Sequence, residues 1–167
     1  MSEEIVNRVV NSQLVNIDLE DFYPEGDRVL LDIKDWLFAE QILKEKDFRK
    51  SVKNHDWKFY QNKYVALNCS AEAIIPSWAY LLISVELSPY AKKIVVGDLM
   101  LLETSIFQEI INDLSVDNYS DKPVIIKGCS NKPIPETAYA QLVSRLLPVA
   151  RSVMYGEACS NVPLFKK

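Results

Sequence analysis

Three times in succession a short β-branched run gives way to a longer stretch with apolar residues at helical spacing, and this alternation constrains the fold more than any other feature. Tyr64-Val-Ala-Leu-Asn68 precedes a predicted helix over about residues 75–87, Lys93-Ile-Val-Val96 one over about 99–114, and Val124-Ile-Ile-Lys127 one over about 136–154. Strands joined through helices lie parallel, because a crossover must return the chain to the same edge before the next strand begins. The expected class is therefore α/β, or α+β, built on a three-stranded, mainly parallel βαβαβα unit. Upstream, predicted strands at about 14–18 and 28–33 flank Tyr23-Pro-Glu-Gly-Asp27, whose turn residues predict an N-terminal β-hairpin that extends the sheet or covers one face. Residues 35–38 turn the corner, and about 46–54 reads as a short amphipathic helix. Pro76 and Pro135-Glu136 suit helix starts, whereas Pro148 falls inside a helical run and should kink or divide it. No long-period repeat is evident.

One domain is expected over residues 1–167, with the hairpin and first helix to about 58, the βαβαβα unit over about 63–155 and a cysteine-containing loop over 156–167. The 167 residues are 49% hydrophobic and 25% charged, enough to bury a core and too apolar for a disordered chain. A formal charge of -4, with the basic residues scattered, argues against a nucleic-acid partner. Met1 to Arg8 lacks the basic and apolar regions of a signal peptide, and no apolar run reaches the roughly 18 residues of a membrane span. The expectation is a cytoplasmic protein without a membrane partner. With four glycines, one histidine and no glycine-rich phosphate loop or nucleophile elbow, a nucleotide enzyme or a triad hydrolase is not expected.

Chemistry concentrates on three cysteines with a shared context: Asn68-Cys69-Ser70, Gly128-Cys129-Ser130-Asn131-Lys132-Pro133 and Ala158-Cys159-Ser160-Asn161-Val162-Pro163. A single free cysteine is commonly a small buried hydrophobe. Three Cys-Ser pairs, two extended to Cys-Ser-Asn-x-Pro, are not explained by packing alone. Cys69 and Cys129 each follow a predicted parallel strand directly, at the carboxyl edge where open α/β sheets bind ligands. If those two strands are neighbours, the sulfurs face one another across a crevice. A nearby helix N-terminus favours the thiolate that a metal requires. Cys159 is the difficult member, because a helix leaving the same edge should end at the opposite one; the loop from Cys129 to Pro135, a turn at Pro148 or a neighbouring subunit must bring it back. His55, in Asn54-His-Asp-Trp57, is the first candidate for a fourth ligand, with Asp98 and Glu157 as carboxylate alternatives, although a histidine after a helix also serves as a C-terminal cap.

The candidate site is thus Cys69, Cys129, Cys159 and His55 around zinc or an iron-sulfur cluster. The alternatives are a thiol-dependent redox enzyme, or an interaction module whose cysteines are only packed. Acidic Asp18-Leu-Glu-Asp21, Asp32-Ile-Lys-Asp35 and Glu3-Glu4 read as solvated faces. Trp36, Trp57, Trp78, Tyr64, Tyr80 and Phe107 read as core or as the interface of a homodimer, to which an apolar C-terminal helix could also contribute.

Several stretches carry a family resemblance: Asp18-Leu-Glu-Asp-Phe-Tyr-Pro-Glu-Gly26, Ile33-Lys-Asp-Trp-Leu37, Lys53-Asn-His-Asp-Trp57, Val65-Ala-Leu-Asn-Cys-Ser70, Ile126-Lys-Gly-Cys-Ser130 and Gly156-Glu-Ala-Cys-Ser-Asn-Val-Pro163. Together they resemble a bacterial family known as domain of unknown function 2480, over nearly the whole chain. The resemblance implies no activity. It does imply an association with iron-sulfur assembly proteins as partners, with the thiolate site holding or passing on a cluster.

Overall fold

Every strand expected from the sequence forms, but the strands divide between two sheets. The computed structural model describes residues 14–128 and 130–167, so Glu3, Glu4 and Cys129 lie outside the described residues. The chain builds two compact units, Pro24–Ile106 and Met1–Tyr23 with Phe107–Lys167. In the first, β2 (Arg28–Asp32), β3 (Tyr64–Asn68) and β4 (Lys93–Val96) form a parallel sheet in that order, with α1 (Glu45–Asn54) and α2 (Ser77–Leu87) between successive strands. In the second, β1 (Val15–Ile17), β5 (Pro123–Ile126) and β6 (Ser152–Glu157) are parallel neighbours, and β7 (Ser160–Lys166) adds antiparallel to β6. Helix α3 (Leu99–Asp113) begins in one unit and ends in the other, and α4 (Glu136–Leu146) joins β5 to β6.

The α/β class and the alternation of elements hold, and three expectations change. The N-terminal hairpin does not form, because β1 pairs with β5 (Ile17 opposite Ile126) and β2 with β3 (Leu31 opposite Leu67). The segment between them holds a 3-10 turn at Leu19–Phe22 and is too long for a tight hairpin loop of two to about five residues. The strands β3, β4 and β5 do not share one sheet, and so β3 and β5 are not neighbours. Finally, the last helix stops at Leu146. Pro148 cannot continue it, the Ala150 amide closes a final turn onto the Leu146 carbonyl at 2.8 Å, and residues 152–166 form a β-hairpin instead of helix and loop.

Described unit by unit, the fold repeats itself, which the sequence pattern did not reveal. Residues 59 positions apart occupy the same structural places: Pro76 and Pro135 cap α2 and α4 with φ -67 in both, and each helix has 11 residues. The buried triplet Ala79, Ile83 and Leu87 matches Ala138, Leu142 and Leu146, and on the preceding helices Phe48 and Val52 match Phe107 and Ile111. Asn62 and Asp121 both take positive φ and donate their amides to the Tyr90 and Val149 carbonyls, each at 2.9 Å. Gly97 and Gly156 both sit at positive φ, Gly97 directly after β4 and Gly156 near the end of β6. The first strands match at a different offset, with Ile17-Asp18-Leu19 corresponding to Leu31-Asp32-Ile33. One copy therefore interrupts the other, after its first strand and 3-10 turn.

Each unit buries one sheet face under its helices. Leu31, Val65 and Leu67 meet Phe48, Val52, Ala79, Ile83 and Leu87; Ile17, Val124, Ile126 and Val153 meet Phe107, Ile111, Ala138, Leu142 and Leu146. The strand contributors alternate in sequence, as a pleat requires. Trp57 and Phe107 are buried, while Trp36, Trp78 and Tyr80 pack partly buried against the first core.

Candidate functional site

The candidate residues lie where parallel strands end and their loops begin. In the first unit β2 stops at Asp32, opposite Asn68 of β3, so the loop after β3 emerges beside this carboxylate. Asp32 accepts the Ser70 amide at 3.0 Å and the Ser70 hydroxyl at 2.5 Å, and its first oxygen also takes the Lys34 amide at 3.0 Å. Partial burial opposes ionisation of Asp32, but the Ser70 and Lys34 hydrogen bonds outweigh it and hold the carboxyl below its usual range. The Cys69-Ser70 loop is thereby clamped by the neighbouring strand end. Cys69 is a free, half-buried thiol. Burial, and then the charges of Cys69 and Asp32, push the Tyr80 phenol up, which marks Tyr80 as a neighbour of both. The Asn68 side-chain oxygen is buried without a hydrogen-bond partner, directly before the cysteine.

In the second unit the corresponding acid is Asp18, at the end of β1. It accepts the Glu20 amide at 2.9 Å and the Lys127 ammonium at 2.8 Å. That bond from Lys127 draws the Asp18 carboxyl down and raises Lys127. Glu20 in turn accepts the Asn131 amide at 3.0 Å and the Ser130 hydroxyl at 3.3 Å. Position 129 itself is not described, but Gly128 and Ser130 on either side of it are held at this edge, Gly128 by the Tyr155 hydroxyl at 3.4 Å.

Cys159 is not carried away from this edge. Strand β6 runs parallel to β5, with Tyr155 opposite Ile126, so both strands leave the sheet on the same side. Ala158 and Cys159 form the two-residue turn between β6 and β7, closed by Glu157 opposite Ser160, and the Cys159 thiol is free and exposed. Gly156 makes this turn possible, since a Cβ there would stand 2.6 Å from the Ser160 carbonyl oxygen. The loop containing Cys129 and the turn containing Cys159 therefore follow neighbouring strands, which are spaced about 4.8 Å apart. Cys69 stands in the other unit.

His55 has a different setting. Its amide closes α1 onto the Val52 carbonyl, the cap position that a histidine after a helix commonly takes. Its ring lies 5.1 Å from Trp36 and 4.7 Å from Trp57 by centroid, and Nε2 shares a 2.9 Å hydrogen bond with the Tyr60 hydroxyl. Burial lowers its pKa below 6.5. Among the described residues no three of His, Cys, Asp and Glu converge on one point that could hold a metal ion. The carboxylates Asp18, Glu20 and Asp32, read from the sequence as solvated, instead organise the Cys-Ser loops. Their signal was the repeated Asp-Leu/Ile-x-Asp-aromatic pattern at Asp18–Phe22 and Asp32–Trp36, which follows the first strand of each unit.

Fold and site together define an α/β protein of two repeated parallel-sheet units, each with a Cys-Ser loop clamped at its carboxyl edge. The chain belongs to the family described as protein of unknown function (DUF2480), which matches residues 3–167. No curated protein and no solved structure matches it. Among the described residues no helix is long and apolar enough to cross a membrane.

Proposed function

We propose that this protein binds a metal, as zinc or an iron-sulfur cluster, through its Cys-Ser loops, with Cys129 and Cys159 at the centre of the site. The observation that supports the reading is the course of β6, which returns the chain to the edge that β5 leaves, so that the turn of Cys159 follows a strand adjacent to the one that precedes Gly128 and Ser130. Two sulfurs on one zinc ion, with bonds of about 2.3 Å, stand somewhat under 4 Å apart, a spacing that neighbouring strand ends can supply. Asp18, Glu20 and Glu157 are the nearby carboxylates, and Cys69 and His55 are the remaining ligand candidates. In its sharper form the proposal makes the protein an accessory of iron-sulfur cluster assembly, holding or passing on a cluster. The same adjacency of two thiols supports one other reading, reversible dithiol redox chemistry without metal.

The test is anaerobic purification followed by assay of zinc, iron and acid-labile sulfide per chain, with an absorption spectrum. Near-stoichiometric metal is expected in the native chain, with loss of about tenfold or more in C129S and in C159S. Retention in C69S and His55→Ala would confine the site to the second unit. No metal after reconstitution with zinc, and with iron plus sulfide, would overturn the proposal, and a thiol pair that then cycles reversibly would establish the redox reading.

A further inference from the structure

We propose that the Cys69 edge of the first sheet binds a small primary amine in its protonated form, seated where the Lys127 ammonium sits at the corresponding edge of the second. The internal repeat supplies the comparison. In the second unit Lys127 follows β5 beside the end of β1 and donates to Asp18 at 2.8 Å, and the charges of Asp18, Glu157 and Asp21 all raise its pKa. Each of these acids has a counterpart in the first unit. Asp32 stands for Asp18, and each accepts the amide two residues on, from Lys34 and Glu20. Asp35 stands for Asp21 in the 3-10 turn that follows, and Asp98 for Glu157, directly after the positive-φ glycines Gly97 and Gly156. The lysine does not recur: its counterpart is Asn68, opposite Asp32 at the end of β3.

The first unit thus keeps the acids and lacks the base, and its remaining groups are acceptors. The Asn68 side-chain oxygen is buried without a hydrogen-bond partner, which is costly unless a donor reaches it. Asp32 accepts three hydrogen bonds, all from neutral donors: the Ser70 amide, the Ser70 hydroxyl and the Lys34 amide. Its charge is therefore spread but not cancelled. The Lys34 ammonium forms no ion pair with it and is the weakest of the influences on its pKa. Tyr80, a neighbour of Cys69 and Asp32, brings a hydroxyl to the same edge.

Geometry favours an ammonium over a metal ion. Among the described residues no three of His, Cys, Asp and Glu converge on one point, as a hard cation would require. An ammonium needs less, being one charge with three N–H donors. Lys127 shows the requirement: one direct bond to a carboxylate, with the other acids acting at longer range.

Titration of the full chain with n-butylammonium, the lysine side chain as a free ion, tests the proposal by amide NMR. Saturable shifts are expected at the Asn68 side-chain amide and at the Cys69 and Ser70 backbone amides, and none at Lys127 and Ser130, where the ammonium is already in place. Tetramethylammonium at equal ionic strength carries the charge without N–H donors and should not reproduce them. Asn68→Lys supplies the ammonium from within the chain and should abolish the shifts. Asp32→Asn should raise the dissociation constant about tenfold or more, the loss of a charged partner. The dispersion of each spectrum shows whether the variant is folded. No saturable shift at any concentration that leaves the chain folded, equal shifts with tetramethylammonium, or binding undiminished in both variants would overturn the proposal. Shifts that potassium ion reproduces would overturn it in favour of an inorganic cation.

Discussion

His55 is the residue whose surroundings make the most specific claim. Its ring is enclosed by Trp36, Trp57 and Tyr60, and burial disfavours its protonated form, so the folded pKa lies below the ordinary 6.5. Above pH 6.5 the ring is neutral in both folded and unfolded chains and contributes no pH dependence. As pH falls below 6.5 the unfolded chain takes up the proton first, so stability falls until the folded pKa is passed. Urea unfolding from pH 7.5 to 5 should show this decline, and His55→Phe, which keeps a ring among the aromatic neighbours, should flatten it. A native profile already flat over that interval would remove burial as the dominant effect at His55. The thiols differ in the same plain way: Cys159, exposed on its turn, should react with a thiol reagent ahead of half-buried Cys69.

At the scale of elements, the clamps between strand ends and Cys-Ser loops are the parts most open to experiment. Asp32→Asn keeps the shape but removes the charge that both Ser70 hydrogen bonds use, and should cost about 1 kcal/mol in denaturant unfolding, below the usual range for charged partners because the pair is partly solvated. The repeat makes a paired prediction. Ile83→Ala and Leu142→Ala remove fully buried side chains from the same place in two cores, and each should cost about 2–5 kcal/mol; a cost confined to one of them would show that the two cores are not equivalent. Gly156 belongs with these elements, because its positive φ and the nearby Ser160 carbonyl leave no room for a Cβ.

For the whole molecule the two acid clamps act together in acid. Asp18 is drawn down chiefly by its bond from Lys127, and Asp32 by hydrogen bonds that overcome the effect of burial, so both fold with pKa values below 3.8. Each contributes stability that is fully present above pH 3.8 and is lost as pH falls through the folded value. Acid unfolding should therefore steepen below about pH 4, and the double variant D18N/D32N should lose much of that steepening while being less stable at neutral pH.

Much of this architecture was legible in the chain itself, because periodicity is a local property. β3 and β4 fall on the strands read from Tyr64–Asn68 and Lys93–Val96, and the starts of α2 and α4 follow from their apolar spacing and their prolines. The end of α4 was less clear, since Pro148 signalled a break but not that the chain would return as a strand. Local pattern also placed Cys69 and Cys129 after strands. It could not say which strands are neighbours, for every parallel strand offers similar edges and the choice is made by whichever faces bury together. That choice sent β1 to β5 and β2 to β3, set Cys69 and Cys159 in different units and brought the Cys159 turn to the edge that β5 leaves. It also turned three apparently solvated carboxylates into clamps. The repeat escaped notice because its matching residues are scattered singly at an offset of 59 and the first strand follows another offset; the folded chain shows that they fill equivalent places.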